Sequence, residues 1–190
     1  MLDPIPGRRE LFRTTLGKWI ENAMARAEAR VTVKRLQRPP GAMPEVGFLA
    51  ACTRCGLCAD PCPPKAIRFA TSEAGLASGT PYIDSATQPC TVCPDMPCAR
   101  ACPTGALTLP SGGWTGYRLA SLQLVAERCV TFKGQTCNLC AVSCPVGEAA
   151  LAMDEAGHPV IRAEGCVGCG VCVTKCPTTP SSYVLIPLEA

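Results

Sequence analysis

The chain has 190 residues, enough for one compact domain or two small halves. Four Phe, two Trp and three Tyr leave little aromatic area to bury, and 17 Gly with 19 Pro imply many turns and few long elements. The formal charge of +3 is unevenly placed, with nine of 18 Lys/Arg but only four of 15 acids in residues 1–40; no run approaches the length of apolar chain that spans a bilayer.

The first predicted element covers residues 10–30. Phe12, Leu16, Trp19, Ala23 and Ala27 recur at helical spacing, with Ile20 and Met24 beside them. Arg13, Lys18, Glu21, Arg26, Glu28 and Arg30 take the other positions, so the pattern predicts an amphipathic helix. It ends before Arg38-Pro39-Pro40-Gly41, which breaks regular structure. The expected division is a basic arm over 1–38 and a body over 39–190. The arm is expected to dock on its own body or on a partner subunit through residues 10–30, not on nucleic acid. Arg8-Arg9-Glu10-Leu11-Phe12 has the outline of a twin-arginine export motif, but charges interrupt the apolar segment that should follow. The expectation is a cytoplasmic protein, attached at most peripherally through a membrane partner.

From residue 52 onward, cysteines dominate. All 16 fall into four groups: Cys52, Cys55, Cys58, Cys62; Cys90, Cys93, Cys98, Cys102; Cys129, Cys137, Cys140, Cys144; and Cys166, Cys169, Cys172, Cys176. The interval is nearly constant, and each last cysteine is followed by Pro63, Pro103, Pro145 or Pro177. This is one supersecondary unit used four times. A short apolar run follows each group: Ile67–Ala70, Leu107–Leu109, Leu151–Met153 and Tyr183–Ile186. These read as short strands, with partners at Pro81–Ile83 and Val160–Arg162 and a hairpin turn at Asp154-Glu155-Ala156-Gly157. The predicted class is α+β, tandem bacterial-ferredoxin-like two-cluster folds of short strands and helices, plus the N-terminal helix.

Cysteines this closely spaced cannot all find disulfide geometry. Structural zinc sites usually place two Cys-x2-Cys pairs far apart, whereas here four thiols crowd together four times over. The pattern Cys-x2-Cys-x2-Cys-x3-Cys-Pro is that of iron–sulfur ligation, in which three thiolates wrap one cubane cluster and the fourth serves the cluster of a paired motif. Four [4Fe–4S] clusters are therefore expected, with all 16 cysteines as ligands. Their charge, about −2 each with thiolates, would make the loaded protein acidic. His158 falls in the predicted turn and is read as a surface residue. Near a cluster, Arg54, Lys65, Arg100 or Lys175 could raise its potential or guide a partner. No phosphate loop, dinucleotide motif or nucleophile–base pair appears, so the chain is not expected to be an enzyme itself.

Groups one and four match the regular spacing. Group two has four residues between Cys93 and Cys98, and group three has seven between Cys129 and Cys137. With these irregular gaps, Phe48-Leu-Ala-Ala-Cys-Thr-Arg-Cys-Gly-Leu-Cys, Pro89-Cys-Thr-Val-Cys-Pro-Asp-Met-Pro-Cys-Ala-Arg-Ala-Cys-Pro-Thr-Gly-Ala-Leu and Thr131-Phe-Lys-Gly-Gln-Thr-Cys-Asn-Leu-Cys resemble the MauM/NapG ferredoxin-type proteins. The match covers about residues 38–178. The cytoplasmic NapF proteins are similar too. The resemblance implies a role in carrying electrons from a membrane quinol-oxidising partner toward a terminal redox enzyme.

Two pairings of the groups remain open, adjacent (one with two, three with four) and nested (one with four, two with three). Nested pairing joins like spacings, and it is the arrangement in the four-cluster electron-transfer subunits that the chain resembles. It is the favoured expectation: Cys176 with Cys52, Cys55 and Cys58; Cys144 with Cys90, Cys93 and Cys98; Cys102 with Cys129, Cys137 and Cys140; Cys62 with Cys166, Cys169 and Cys172. The expected function is an electron-transfer subunit of an oxidoreductase complex. The rivals are a maturation factor for a metalloenzyme and a free ferredoxin.

Overall fold

The structure, a computed structural model, describes residues 36–188 and, ahead of them, Lys18 alone. Apart from Lys18, the predicted helix over 10–30 lies outside the described residues. Among the described residues six strands and four short helices are arranged in two halves, the first carrying cysteine groups one and two, the second groups three and four.

In the first half, α1 (Glu45–Ala51) leads into group one, and β1 (Ile67–Phe69) pairs antiparallel with β2 (Pro81–Ile83), with Ile67 opposite Ile83. Helix α2 (Pro97–Arg100) lies inside group two. The predicted strand at Leu107–Leu109 shrinks to one bridge, Ala42 with Leu107. The physical reason lies in Pro39 and Pro40, which lack ladder donors and limit the partner strand.

The second half opens with β3 (Ala120–Leu124), a strand outside the predicted set. It pairs antiparallel with the C-terminal β6 (Tyr183–Pro187), Leu124 opposite Tyr183 and Ala120 opposite Pro187. Between them, α3 (Leu139–Val142) belongs to group three, and β4 (Leu151–Met153) and β5 (Pro159–Ile161) form the predicted hairpin. Its turn closes as expected, with the Gly157 N–H donating to the Asp154 carbonyl at 3.0 Å. Helix α4 (Val171–Lys175) lies inside group four. Each half is thus a two-cysteine-group ferredoxin-like unit.

The core is continuous across the halves. Phe48, Ile67, Ile83, Met96 and Leu107 of the first half pack in one cluster with Leu119, Val167 and Val171 of the second. A smaller cluster gathers Leu151 and Tyr183 around Cys140 and Cys172. The seam is also polar. The Gln37 side chain donates to the Gly168 carbonyl (3.0 Å) and accepts from Ser85 Oγ (2.6 Å). Gly170 lies so close to Ser85 that an added Cβ would meet the Ser85 Cβ at 2.4 Å.

Candidate iron–sulfur centres

The short helices explain how one group of cysteines serves two places. In groups two, three and four the third cysteine (Cys98, Cys140, Cys172) lies on a one-turn helix and is buried. The helix then stops, and the fourth cysteine leaves on the other side. Four cavities result, each lined by three cysteines of one group and one of another. Site A has Cys52, Cys55, Cys58 and Cys102. Site B has Cys62, Cys90, Cys93 and Cys98. Site C has Cys144, Cys166, Cys169 and Cys172. Site D has Cys129, Cys137, Cys140 and Cys176.

The cavity linings differ from the favoured nested expectation and follow the adjacent alternative. Cys102, not Cys176, completes the set of Cys52; Cys62, not Cys144, completes that of Cys90. Cys176, not Cys102, joins Cys129, and Cys144, not Cys62, joins Cys166. The physical reason is chain proximity: the β1–β2 and β4–β5 hairpins each lie between neighbouring groups, and shorter loops close at lower entropic cost.

The cradles share one backbone design. Between the first two cysteines of groups one, two and four, Arg54, Val92 and Gly168 all adopt left-handed φ (61°, 57° and 68°). A β-branched residue there is strained, and the strain is used: the Val92 N–H points at Cys90 Sγ (3.5 Å). After the fourth cysteines a second turn aims an N–H back at sulfur. Ala66 donates to Cys62 Sγ (3.3 Å), Leu107 to Cys102 Sγ (3.4 Å) and Ser182 to Cys176 Sγ (3.4 Å).

Electrostatics suit a cationic core. Burial and neighbouring sulfurs push the Cys58 and Cys90 thiols up to about 12, and Cys98 and Cys169 to about 11. Burial likewise raises Cys140, Cys166 and Cys172. Such thiols ionise together only when a metal centre supplies the opposing charge. Two crossing cysteines differ. Burial opposes ionisation of Cys176, but the Thr178 hydroxyl and Ser182 N–H bring it down to about 7. At Cys102 burial is likewise outweighed, by Leu107 N–H and Thr104.

The donor set fits [4Fe–4S] clusters. Each cradle offers four sulfurs around a cavity, with amides aimed at sulfur. Among the described residues no three or more Cys, His, Asp or Glu converge as a single-ion site. Among the described residues one buried polar atom makes no hydrogen bond of normal geometry: Tyr183 Oη, on the wall of site D beside Cys140. An acceptor in that cavity would satisfy it.

The sites follow each other in the order A, B, C, D. Cys58 of A is within electrostatic reach of Cys98 of B, and Cys172 of C is within reach of Cys140 of D. Between the halves, the Cys90 N–H of B donates to the Cys169 carbonyl of C at 3.3 Å.

The basic residues singled out from the sequence are exposed, and three of them are tied to backbone. Arg54 donates to Ser78 O (2.8 Å) and Leu76 O (3.0 Å), Lys65 to Asp60 O (2.6 Å) and Arg100 to Asp95 O (2.9 Å). Lys175 ends α4. His158 lines none of the four sites; its ring stacks on Phe132, centroids 4.1 Å apart. Sequence reasoning missed Trp114, whose Nε1 donates to Cys93 O (2.8 Å) over site B. It also missed Tyr117, whose hydroxyl accepts from Gly41 N–H (2.8 Å), and Tyr183. Their only signal was the isolation of aromatic residues in an aromatic-poor chain.

Among the described residues no helix is long and apolar enough to cross a membrane. No solved structure matches the chain. The 4Fe-4S dicluster domain matches twice, over residues 51–106 and 128–179, each span holding one half's two cysteine groups. The methylamine utilization ferredoxin-type protein MauM of Methylophilus methylotrophus is 35% identical, covering 97% of this chain and 88% of its own. The ferredoxin-type protein NapG of Escherichia coli K12 is 35% identical over 85% of this chain and 74% of its own length. NapF of the same organism is 29% identical over 75% of this chain and 80% of its own. With its paired dicluster domains and these relatives, the chain belongs to the MauM/NapG family of ferredoxin-type iron–sulfur electron-transfer proteins.

Proposed function

We propose that the protein holds four [4Fe–4S] clusters, one in each of sites A to D, and passes single electrons along them between two redox partners as a non-catalytic subunit of an oxidoreductase complex. The observation that carries this reading is the unbroken succession of four cysteine cradles, joined across the halves by the Cys90–Cys169 hydrogen bond. A cluster bound in a cradle would take up and release one electron. The chain's own part is to ligate it with four thiolates, to stabilise the added charge with amide donors such as those of Ala66, Leu107 and Ser182, and to shield it with Trp114 and the apolar core.

Ligation crosses within each half: Cys62 and Cys102 exchange between A and B, and Cys144 and Cys176 between C and D. The ferredoxin-type relatives, some named for methylamine utilization, support a role among redox partners; the donor is proposed to be quinol-linked, and residues 10–30 of the arm are proposed to dock on a partner subunit. Iron and acid-labile sulfide in anaerobically prepared protein should each approach about sixteen per chain. Zinc in place of iron, or iron that dithionite cannot reduce, overturns the reading.

A further inference from the structure

The four cradles differ in their hydroxyl groups, and the difference follows their order in space. Two residues beyond each crossing cysteine stand Pro64, Thr104, Val146 and Thr178. Because the ligands cross, Thr104 reaches Cys102 in site A (3.6 Å) and Thr178 reaches Cys176 in site D (3.1 Å). Pro64 and Val146 offer nothing to the central sites B and C. Among the described residues, exposed Thr91 stands 3.7 Å from Cys93 Sγ, and the Tyr117 hydroxyl, within electrostatic reach of Cys90 and Cys98 of site B, is engaged by the Gly41 N–H and makes no hydrogen bond to sulfur.

Site D goes further than site A. Thr131, buried, stands 3.3 Å from Cys129 Sγ. Thr178 is itself engaged by Ser182 Oγ at 2.9 Å. A thiolate only accepts, so Thr178 donates to Cys176 and accepts from Ser182, a two-step relay ending on sulfur. Tyr183 Oη, on a residue only 4% exposed, lines the same cavity beside Cys140, with no hydrogen bond of normal geometry to any other group. Three side-chain hydroxyls thus converge on one centre.

Hydrogen bonds to the sulfurs of a cluster stabilise its reduced, more negative form and raise its potential. The rival influence is positive charge: Arg54 lines site A, and Arg118 lies within electrostatic reach of Cys166 of site C. Both are exposed, and Arg54 is engaged with Ser78 O and Leu76 O, so solvent screens them. From this, and resting on the four-cluster reading above, we infer that site D has the highest potential of the four, that Tyr183, Thr131 and Thr178 set it, and that electrons leave the protein there. A one-electron donor is oxidised at the site A end and a one-electron acceptor protein is reduced at the site D end; no bond forms or breaks and no proton is required. Tyr183 is a positioning residue in this scheme, acting on the potential of the cluster and not on a substrate.

The test is a redox titration of the loaded full-length chain, followed by electron paramagnetic resonance, on wild type, Tyr183→Phe, Thr178→Val and Thr104→Val. Tyr183→Phe and Thr178→Val should each shift the highest midpoint downward and leave the other three in place. Thr104→Val should shift a different midpoint. If Tyr183→Phe fails to retain one cluster, the midpoint that disappears should be the highest. Retention of the highest midpoint unshifted in both site D variants overturns the inference, as does its movement in Thr104→Val. Failure of the wild type to bind iron would instead overturn the four-cluster reading, so the two failures are distinguishable.

Discussion

The two halves build the same pair of cradles but close them differently. In the second half a five-residue ladder, β3 with β6, ties the start of the half to its end. In the first half that ladder is reduced to the Ala42–Leu107 bridge, and a polar staple replaces it. Arg38 donates to Glu45 Oε2 (2.9 Å), to Thr80 Oγ1 (2.9 Å) and to the Pro81 carbonyl (2.8 Å), and lies 4.6 Å from the centroid of Phe48. The comparison teaches that cluster geometry demands only that the two ends of a half be held. A sheet or one well-satisfied guanidinium will do it, and neither needs to look like the other in sequence.

The largest effect expected concerns whether each half is a self-contained ligand set. Cys62→Ala and Cys98→Ala both strike site B. Each alone should remove one cluster, and the double variant should still hold about twelve irons, because both losses fall on the same site. Under nested pairing the double variant would fall to about eight. Cys144→Ala with Cys98→Ala makes the opposite case, since those residues line sites C and B, and should leave about eight. Iron analysis of the purified variants decides between the two.

Next comes the staple. The Arg38 side chain is 9% exposed, and its removal takes the guanidinium from the Glu45 carboxylate, the Thr80 hydroxyl and the Pro81 carbonyl. Arg38→Ala should destabilise the first half by about 2–4 kcal/mol. Because no counterpart exists in the second half, denaturant unfolding should become biphasic, with the visible absorption of sites A and B bleaching first. Uniform bleaching of all four would mean that the continuous core, not the staple, governs the first half.

The seam between the halves should be less sensitive. Gly170 has φ +91°, and a side chain there meets Ser85 Cβ at 2.4 Å and Ser85 O at 2.8 Å. Gly170→Ala should cost about 1–3 kcal/mol, seen as a fall of about 2–12 °C in the temperature at which cluster absorption is lost. An unchanged melting temperature would show that the halves are not pressed together at this point.

Much of this comparison was legible in the sequence. The cysteine groups, the strands β1, β2, β4, β5 and β6 and the Asp154–Gly157 turn follow from apolar runs between turn residues. The pairing of groups was not, because spacing shapes a loop without saying which loop it will meet. The irregular gaps mark local needs instead. The extra residues before Cys98 place Met96, fully buried, under site B. Those after Cys129 form the 3₁₀ turn Val130–Lys133 that sets Thr131 against Cys129. Strand β3 was missed because Ala120-Ser-Leu-Gln-Leu follows a Gly-rich connection and finds its partner only at the far end of the half. The aromatic caps Trp114 and Tyr117 were missed because each contacts residues far away in sequence, and no local pattern encodes that.

The smallest effect isolates backbone strain at equivalent turns. Three residues past the crossing cysteine, Lys65, Gly105 and Gly147 adopt φ 52°, 72° and 74°. The first half places an L-residue where the second uses Gly147. Nothing lies within 4 Å of a Cβ built on Gly147, so Gly147→Ala would add no clash, and its cost is conformational alone. That cost should be about 1 kcal/mol, the strain of left-handed backbone less the entropy that Ala removes from the unfolded chain. Lys65→Gly runs the other way. It relieves strain but loses the Lys65–Asp60 carbonyl bond, so it should change stability by less than about 1 kcal/mol. Equal and negligible costs for both would mean that the turns are not held left-handed in solution. A large cost for Lys65→Gly alone would mean that its ammonium, not the backbone turn, holds the first half's crossing cysteine in place.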